Sequence, residues 1–207
     1  MSASSKSMEE SQQPARGKSP GRQSLSIWEA TQWTQMRHAL AQHHCIVCFD
    51  AEWEYQLPNR VTELGVAIMR DGLIMAHNVR VRGRGRRFHG GETVYMDDDA
   101  AKTWLRDIMA AADLLVGHAL QNDRLKMKRW GCPLPSIEAL PMVDTGTWSR
   151  ITNAQSANPR RLTHLADQYG IERKNAHVAG NDALVTLRVA LAMAATGPNF
   201  EIASAGL

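Results

Sequence analysis

Asp50 and Glu52 stand one residue apart in Phe49-Asp50-Ala51-Glu52, directly after the apolar run Cys45–Phe49. A short, β-branched apolar run of this kind suits a central strand buried on both faces. Residues two apart on a strand project from one face, so the two carboxylates leave the strand end together. Like charges held at the edge of a low-dielectric core repel. A divalent cation relieves that conflict, because hard cations take carboxylate and phosphate oxygens. A solvated strand end would carry the same pair at no cost, so the pair alone decides nothing.

Two more acids extend the pattern. Asp123 closes Gly117-His118-Ala119-Leu120-Gln121-Asn122-Asp123, and Asp182 closes His177-Val178-Ala179-Gly180-Asn181-Asp182. Each has a bland reading: an acid in the first turn of a helix is favoured by the helix dipole, and His177 alone passes for an ordinary loop histidine. Asp123 follows a predicted strand end, the place where open α/β sheets gather their sites, and Asp182 stands at the start of the last helix. The collective pattern of four acids and a histidine is harder to dismiss than any one member of it.

The elements that must position these residues follow from periodicity. Residues 1–25 are rich in Ser, Gln, Pro, Gly and charge, and such a segment lacks the apolar surface needed to offset its ordering entropy. They read as a disordered tail. From Ser26, a helix is expected over 27–40, on the spacing of Ile27, Trp28, Ala30, Trp33, Met36 and Leu40. Strands follow at 45–49, 61–69 and 73–82, the last two joined by Arg70-Asp71-Gly72, a hairpin signal. Residues 83–96 read as a loop. Helices at 99–112, 122–130, 161–169 and 179–195 alternate with short strands at 114–116 and 142–144. A meander followed by alternating strands and helices predicts a mixed α/β sheet flanked by helices. The domain spans 26–196, with a second tail at 197–207.

At this point the chain resembles the DEDDh branch of the DnaQ-like 3′–5′ exonucleases, over about residues 44–195. Asp50 and Glu52 match the first motif, D-x-E. His118 and Asp123 match the second, and His177 and Asp182 the third. Val143-Asp144-Thr145 resembles the family's strand-ending Asp-Thr, and the stretch from Arg161 to Ile171 its leucine-containing helix. The closest resemblance is to a small fungal branch of stand-alone proteins. The resemblance implies an RNase H-like fold with a mixed five-stranded sheet, a three-strand meander plus parallel strands. It implies two Mg²⁺ or Mn²⁺ ions roughly 3.5–4 Å apart, held by Asp50, Glu52, Asp123 and Asp182, with His177 as general base. Nucleoside 5′-monophosphates would leave a free 3′ end of single-stranded RNA or DNA, RNA being favoured by analogy with small stand-alone relatives.

The chain departs from the family in two places. Trp53 replaces the usual threonine of D-x-E-T, and Ala119 the usual asparagine after His118. In relatives this first stretch contacts the terminal nucleotide. A tryptophan there can stack on a base, at roughly 1–3 kcal/mol, or serve the core. Trp53 and His118 are therefore candidate substrate contacts. So are Arg82, Arg84, Arg86 and Arg87 of the arginine-glycine loop, since arginines neutralise phosphates and release counterions; a solvated loop is the alternative. The net charge of +3 is compatible with a polyanionic partner without requiring one. A competing function is a nucleic-acid-binding or scaffold protein of an RNA-processing assembly with little or no turnover. Oligomeric state stays open, a homodimer included.

Three cysteines, an odd number, argue against a disulfide framework. The start of the chain lacks the apolar segment of a signal peptide, and no stretch approaches the roughly 20 apolar residues of a membrane span. An intracellular protein, cytoplasmic or nuclear, is expected.

Overall fold

The computed structural model describes residues 27–42, 44–83, 85–152 and 160–196. The tails expected at 1–25 and 197–207, the capping role of Ser26, and Arg84 lie outside these residues. Helix α1 (Ile27–Ala41) is followed by strands β1 (Ile46–Glu54), β2 (Leu57–Arg70), β3 (Leu73–Arg80) and β4 (Thr93–Tyr95). Then come α2 (Asp98–Ala110), β5 (Leu114–Gly117), α3 (Leu120–Trp130), β6 (Met142–Asp144), α4 (Thr145–Thr152), α5 (Leu162–Gln168) and α6 (Ala179–Thr196).

The sheet order is β4-β3-β2-β1-β5-β6. β1, β2 and β3 form the antiparallel meander, while β5 joins β1 and β6 joins β5 in parallel. Asp71 and Gly72 both have positive φ, as a two-residue primed hairpin turn requires. The sheet has six strands rather than the five expected. The extra one, β4, lies in the presumed loop and pairs parallel to β3 at the sheet edge. Its three residues are too few to show a period.

Two cores lie on opposite faces of the sheet. Ile46 and Cys48 of β1 pack with α1, α4, α5 and α6. Val47, Phe49 and Ala51 pack with α2 and α3. Cys45, Cys48 and Cys132 are all buried as free thiols. Strand alternation then assigns the acids: Asp50 and Glu52 continue the Ile46–Cys48 row and face α6.

The β1–β2 pairing slips on either side of Trp53: Glu52 stands opposite Glu63, but Trp53 stands opposite Val61. The bulge changes which face each residue takes, so that Val61 and Leu64 share one core. It leaves Glu63 and Gly65 on the α6 side.

Gly65 pairs with Asp50 across the ladder. A Cβ at Gly65 would lie 1.9 Å from the carbonyl carbon of Ala179, the first residue of α6. The absence of a side chain here is what lets the start of α6, and with it Asp182, settle onto β2 beside Asp50. Gly65→Ala should lower stability by about 3 kcal/mol, at the upper end of ordinary overpacking, because the obstacle is backbone. Thermal denaturation would measure it.

Candidate active site

Three elements deliver the acids. β1 carries Asp50 and Glu52, the first turn of α3 carries Asp123, and the first turn of α6 carries Asp182. Ligand atoms of Glu52, His177 and Asp182 all lie within 4.8 Å of one another. His177 Nδ1 is 3.8 Å from Glu52 Oε1, and the His177 main-chain N–H donates to Asp182 Oδ2 at 2.9 Å. The His177 side chain is 81% exposed, so its imidazole is open to solvent above the acids.

The electrostatics of the acids share one sign. Burial, then the charges of Asp123, Asp182, Glu52 and Glu63, hold the Asp50 carboxyl well above the usual range. Burial and Asp182 raise Glu52, against the pull of His177. Asp182 is raised by burial, and Asp123 is pushed up to about 6 by burial. Four carboxyls that resist ionisation in one another's company form a site short of positive charge. Their oxygens are the donors that hard dications take, and the residues therefore fit the divalent ions the motifs imply.

Asp123 is 9% exposed and has company that the motifs do not foretell. The Trp53 indole N–H approaches its carboxylate closely enough to favour ionisation, without the geometry of a formed hydrogen bond. Lys126, one turn along α3, places its Nζ 5.3 Å from the Trp53 ring centroid and also favours the ionised forms of Asp123 and Glu52. Trp53 is half-buried against the α2–α3 core. With Lys126 over its ring, it lines the site beside Asp123 more than it presents an open platform.

His118 sits at the turn between β5 and α3. Its Nδ1 is 2.9 Å from Thr145 Oγ1, whose hydroxyl donates to the Gly117 carbonyl. The hydroxyl proton being so engaged, His118 must be the donor, which assigns Nδ1–H and leaves Nε2 as an acceptor when neutral. Burial lowers its pKa and favours that neutral form. Asp144 holds the same turn: its carboxylate accepts from the main-chain N–H groups of Ala119 and Leu120, and of Gly146 and Thr147. One side chain thereby caps two helices. Ala119 has φ of 58°, a left-handed conformation that Asn adopts more readily than Ala. The family's usual asparagine suits this backbone.

Two of the described arginines expected at substrate have side chains engaged elsewhere. Arg82 pairs with Asp98 at the start of α2. Arg86 Nη1 donates to the Ala176 carbonyl at 3.1 Å, and the Arg87 carbonyl accepts from Asn175. Both side chains are exposed.

A buried polar group that no motif announces lies beneath the acids. Glu63, Asn78 and Arg80 line the α6 face of β2 and β3, almost without exposure. Arg80 binds Glu63 at 2.9 Å, Asn78 also donates to Glu63, and the Gly180 N–H donates to Asn78 Oδ1 at 2.8 Å. The signal was present: a glutamate inside the apolar run Val61–Met69 demands a buried partner.

Residues 73–193, more than half of the chain, match the family model described as DNA polymerase III subunit epsilon-like, C-terminal domain (DEDDh_C). The chain belongs to the DEDDh family. The matched stretch of this DEDDh protein contains Asp123, His177 and Asp182 and begins after Asp50 and Glu52. No curated protein matches it. Among solved structures, it is similar to S. pombe Pop2p in an Mg²⁺- and Mn²⁺-bound form, at 16% identity over 79% of this chain and 88% of that one, with a TM-score of 0.50. It is also similar to the Neurospora crassa Pan2 catalytic unit (protease and nuclease domain), at 15% identity over 72% of this chain and 26% of that one, again with a TM-score of 0.50. At such identities the likeness shows the fold. Among the described residues no helix is long and apolar enough to cross a membrane.

Proposed function

We propose that this DEDDh exonuclease removes nucleoside 5′-monophosphates from the free 3′ end of single-stranded nucleic acid, RNA in preference to DNA. The observation that carries the reading is the convergence of Asp50, Glu52, Asp123 and Asp182, all with raised carboxyl pKa values, beside an exposed His177. Asp50, whose carboxyl feels the charge of all three other acids, is central to the set; with Glu52, Asp182 and Asp123 it would hold two Mg²⁺ or Mn²⁺ ions. When bound, such ions supply Lewis-acid stabilisation of the phosphoryl charge and a more acidic water.

The chain's own groups do the rest. His177, neutral, takes a proton from the attacking water as its oxygen bonds to phosphorus. The bond from phosphorus to the 3′ oxygen breaks, and that oxygen is reprotonated from solvent. Imidazole is the side chain most often used as a base at neutral pH. His118, through Nε2, and Trp53, which borders Asp123, would contact the terminal nucleotide. Exposed Arg87 offers charge to the phosphates that follow. RNA preference rests on the resemblance to small stand-alone relatives.

Incubation with 5′-labelled single-stranded RNA and DNA of one sequence tests this reading. RNA should be shortened stepwise from the 3′ end with Mg²⁺ or Mn²⁺, faster than DNA, and neither should be shortened with chelator. Cutting of a circular substrate, or shortening unaffected by a 3′ block, would refute the exonuclease; equal rates would refute the preference alone.

A further inference from the structure

The segment from Asn175 to Asn181, which carries His177, has an unusual backbone. Asn175 has φ of 46° and His177 of 64°. For a non-glycine residue such a conformation is disfavoured and persists only where surrounding contacts fix it. Here those contacts come from residues 86–89. Arg86 Nη1 donates to the carbonyl of Ala176, immediately before His177. The Asn175 amide donates to the Arg87 carbonyl at 3.0 Å and lies 3.0 Å from His89 Nε2. The His89 N–H donates to Asn181 Oδ1, and the Asn181 amide donates back to the Asn175 carbonyl.

This clamp is itself anchored. Phe88 is buried, and a Cβ on Gly180 would lie 2.8 Å from its ring, so the loop is wedged against the start of α6. The carbonyl of Arg86 accepts from Arg80, the guanidinium paired with Glu63 under the acids. Arg86 is thus held from below by its main chain and holds the His177 segment with its side chain.

We infer that Arg86 is a positioning residue, which sets His177 over the acids by gripping the Ala176 carbonyl. This rests on the reading of His177 as the proton acceptor. The role differs from phosphate binding, the use suggested by its place in an arginine-rich loop. A phosphate contact adds affinity; a positioning contact adds turnover, since small misplacements of a catalytic group can cost about 10²-fold.

Three measurements separate the two. In Arg86→Ala, kcat should fall about tenfold or more with KM changed by less than about twofold, and Arg86→Lys, which keeps a donor, should recover part of the loss. In a His177→Ala background, adding Arg86→Ala should cost less than about a further twofold, since residues that act as a unit are not additive. Independently of activity, hydrogen exchange of the amides over 174–178 should accelerate in Arg86→Ala, while the melting transition stays cooperative. Unchanged exchange in that segment, a loss confined to KM, or losses that multiply in the double variant would each overturn the inference. Wild-type protein without nuclease activity would instead refute the proposed function, and the exchange result would still decide whether Arg86 holds the segment.

Discussion

Asp50→Asn should reduce hydrolysis by at least about 10²–10³-fold, the scale of removing one preorganised electrostatic stabiliser, while raising the melting temperature of the metal-free protein. The two effects have one cause. Asp50 lies opposite Gly65 on the central strand, where burial and the charges of Asp123, Asp182, Glu52 and Glu63 oppose its ionisation. Asparagine keeps the shape and removes the charge. The sign follows from the direction of the shift: with the folded pKa above the unfolded one, folding is hindered once the pH exceeds the unfolded value, and the hindrance grows until the folded pKa is passed. The gain in Asp50→Asn should be absent at pH 3, where the carboxyl is protonated in both states, and largest at neutral pH. Loss of activity with an unchanged or lower melting temperature at neutral pH would show that the carboxylate is satisfied by the protein alone, leaving no need for a cation. Retained activity would remove Asp50 from the site.

Addition of Mg²⁺ or Mn²⁺ should raise the melting temperature, and by more at about pH 7.5 than at about pH 5. At a ligand concentration near a hundred times Kd, one site contributes about 2.7 kcal/mol, which for a domain of this size is roughly 5–10 °C. The pH dependence comes from the acids. Asp123 titrates at about 6 in the folded protein against an ordinary 3.8, so its contribution to metal-free stability is intact below about pH 4 and falls as the pH rises through about 6. Asp50, Glu52 and Asp182 shift in the same direction. Below that window a cation must displace protons; above it the carboxylates stand ionised and repelling, and the cation relieves the most. Differential scanning with and without metal at the two pH values measures this. A metal-induced shift of equal size at both, or none, would contradict the account; Asp50→Asn should lose most of the shift at either.

Much of this site is legible in the residues because its logic is local. Asp50 and Glu52 announce themselves by the two-residue period of a strand, and Asp123 and Asp182 by their place in a first helical turn. The turn at Asp71-Gly72 is written in the residue types. What escapes is what depends on contacts distant in sequence. β4 is three residues on a sheet edge, and α4 starts without a break from the end of β6 with Thr-Gly-Thr, so neither shows a period. Gly65 reads as a mild strand weakness until the backbone of Ala179 is seen against it. Glu63 reads as an anomaly until Arg80 and Asn78 are placed beside it. The arginine-glycine loop shows the same limit: residue types suggest phosphate contacts, yet Arg82 is committed to Asp98 and Arg86 to the segment before His177.

In the proposed reaction these acids and His177 direct water onto the phosphate of a 3′-terminal nucleotide. Digestion of single-stranded RNA in water enriched in heavy oxygen, with mass analysis of the released nucleotides, tests it most directly. The expected products are nucleoside 5′-monophosphates that each carry one heavy oxygen on phosphorus, produced only with Mg²⁺ or Mn²⁺ and nearly absent from Asp50→Asn. Products bearing a 3′-phosphate, nucleotides without the label, or equal yields from Asp50→Asn would contradict it.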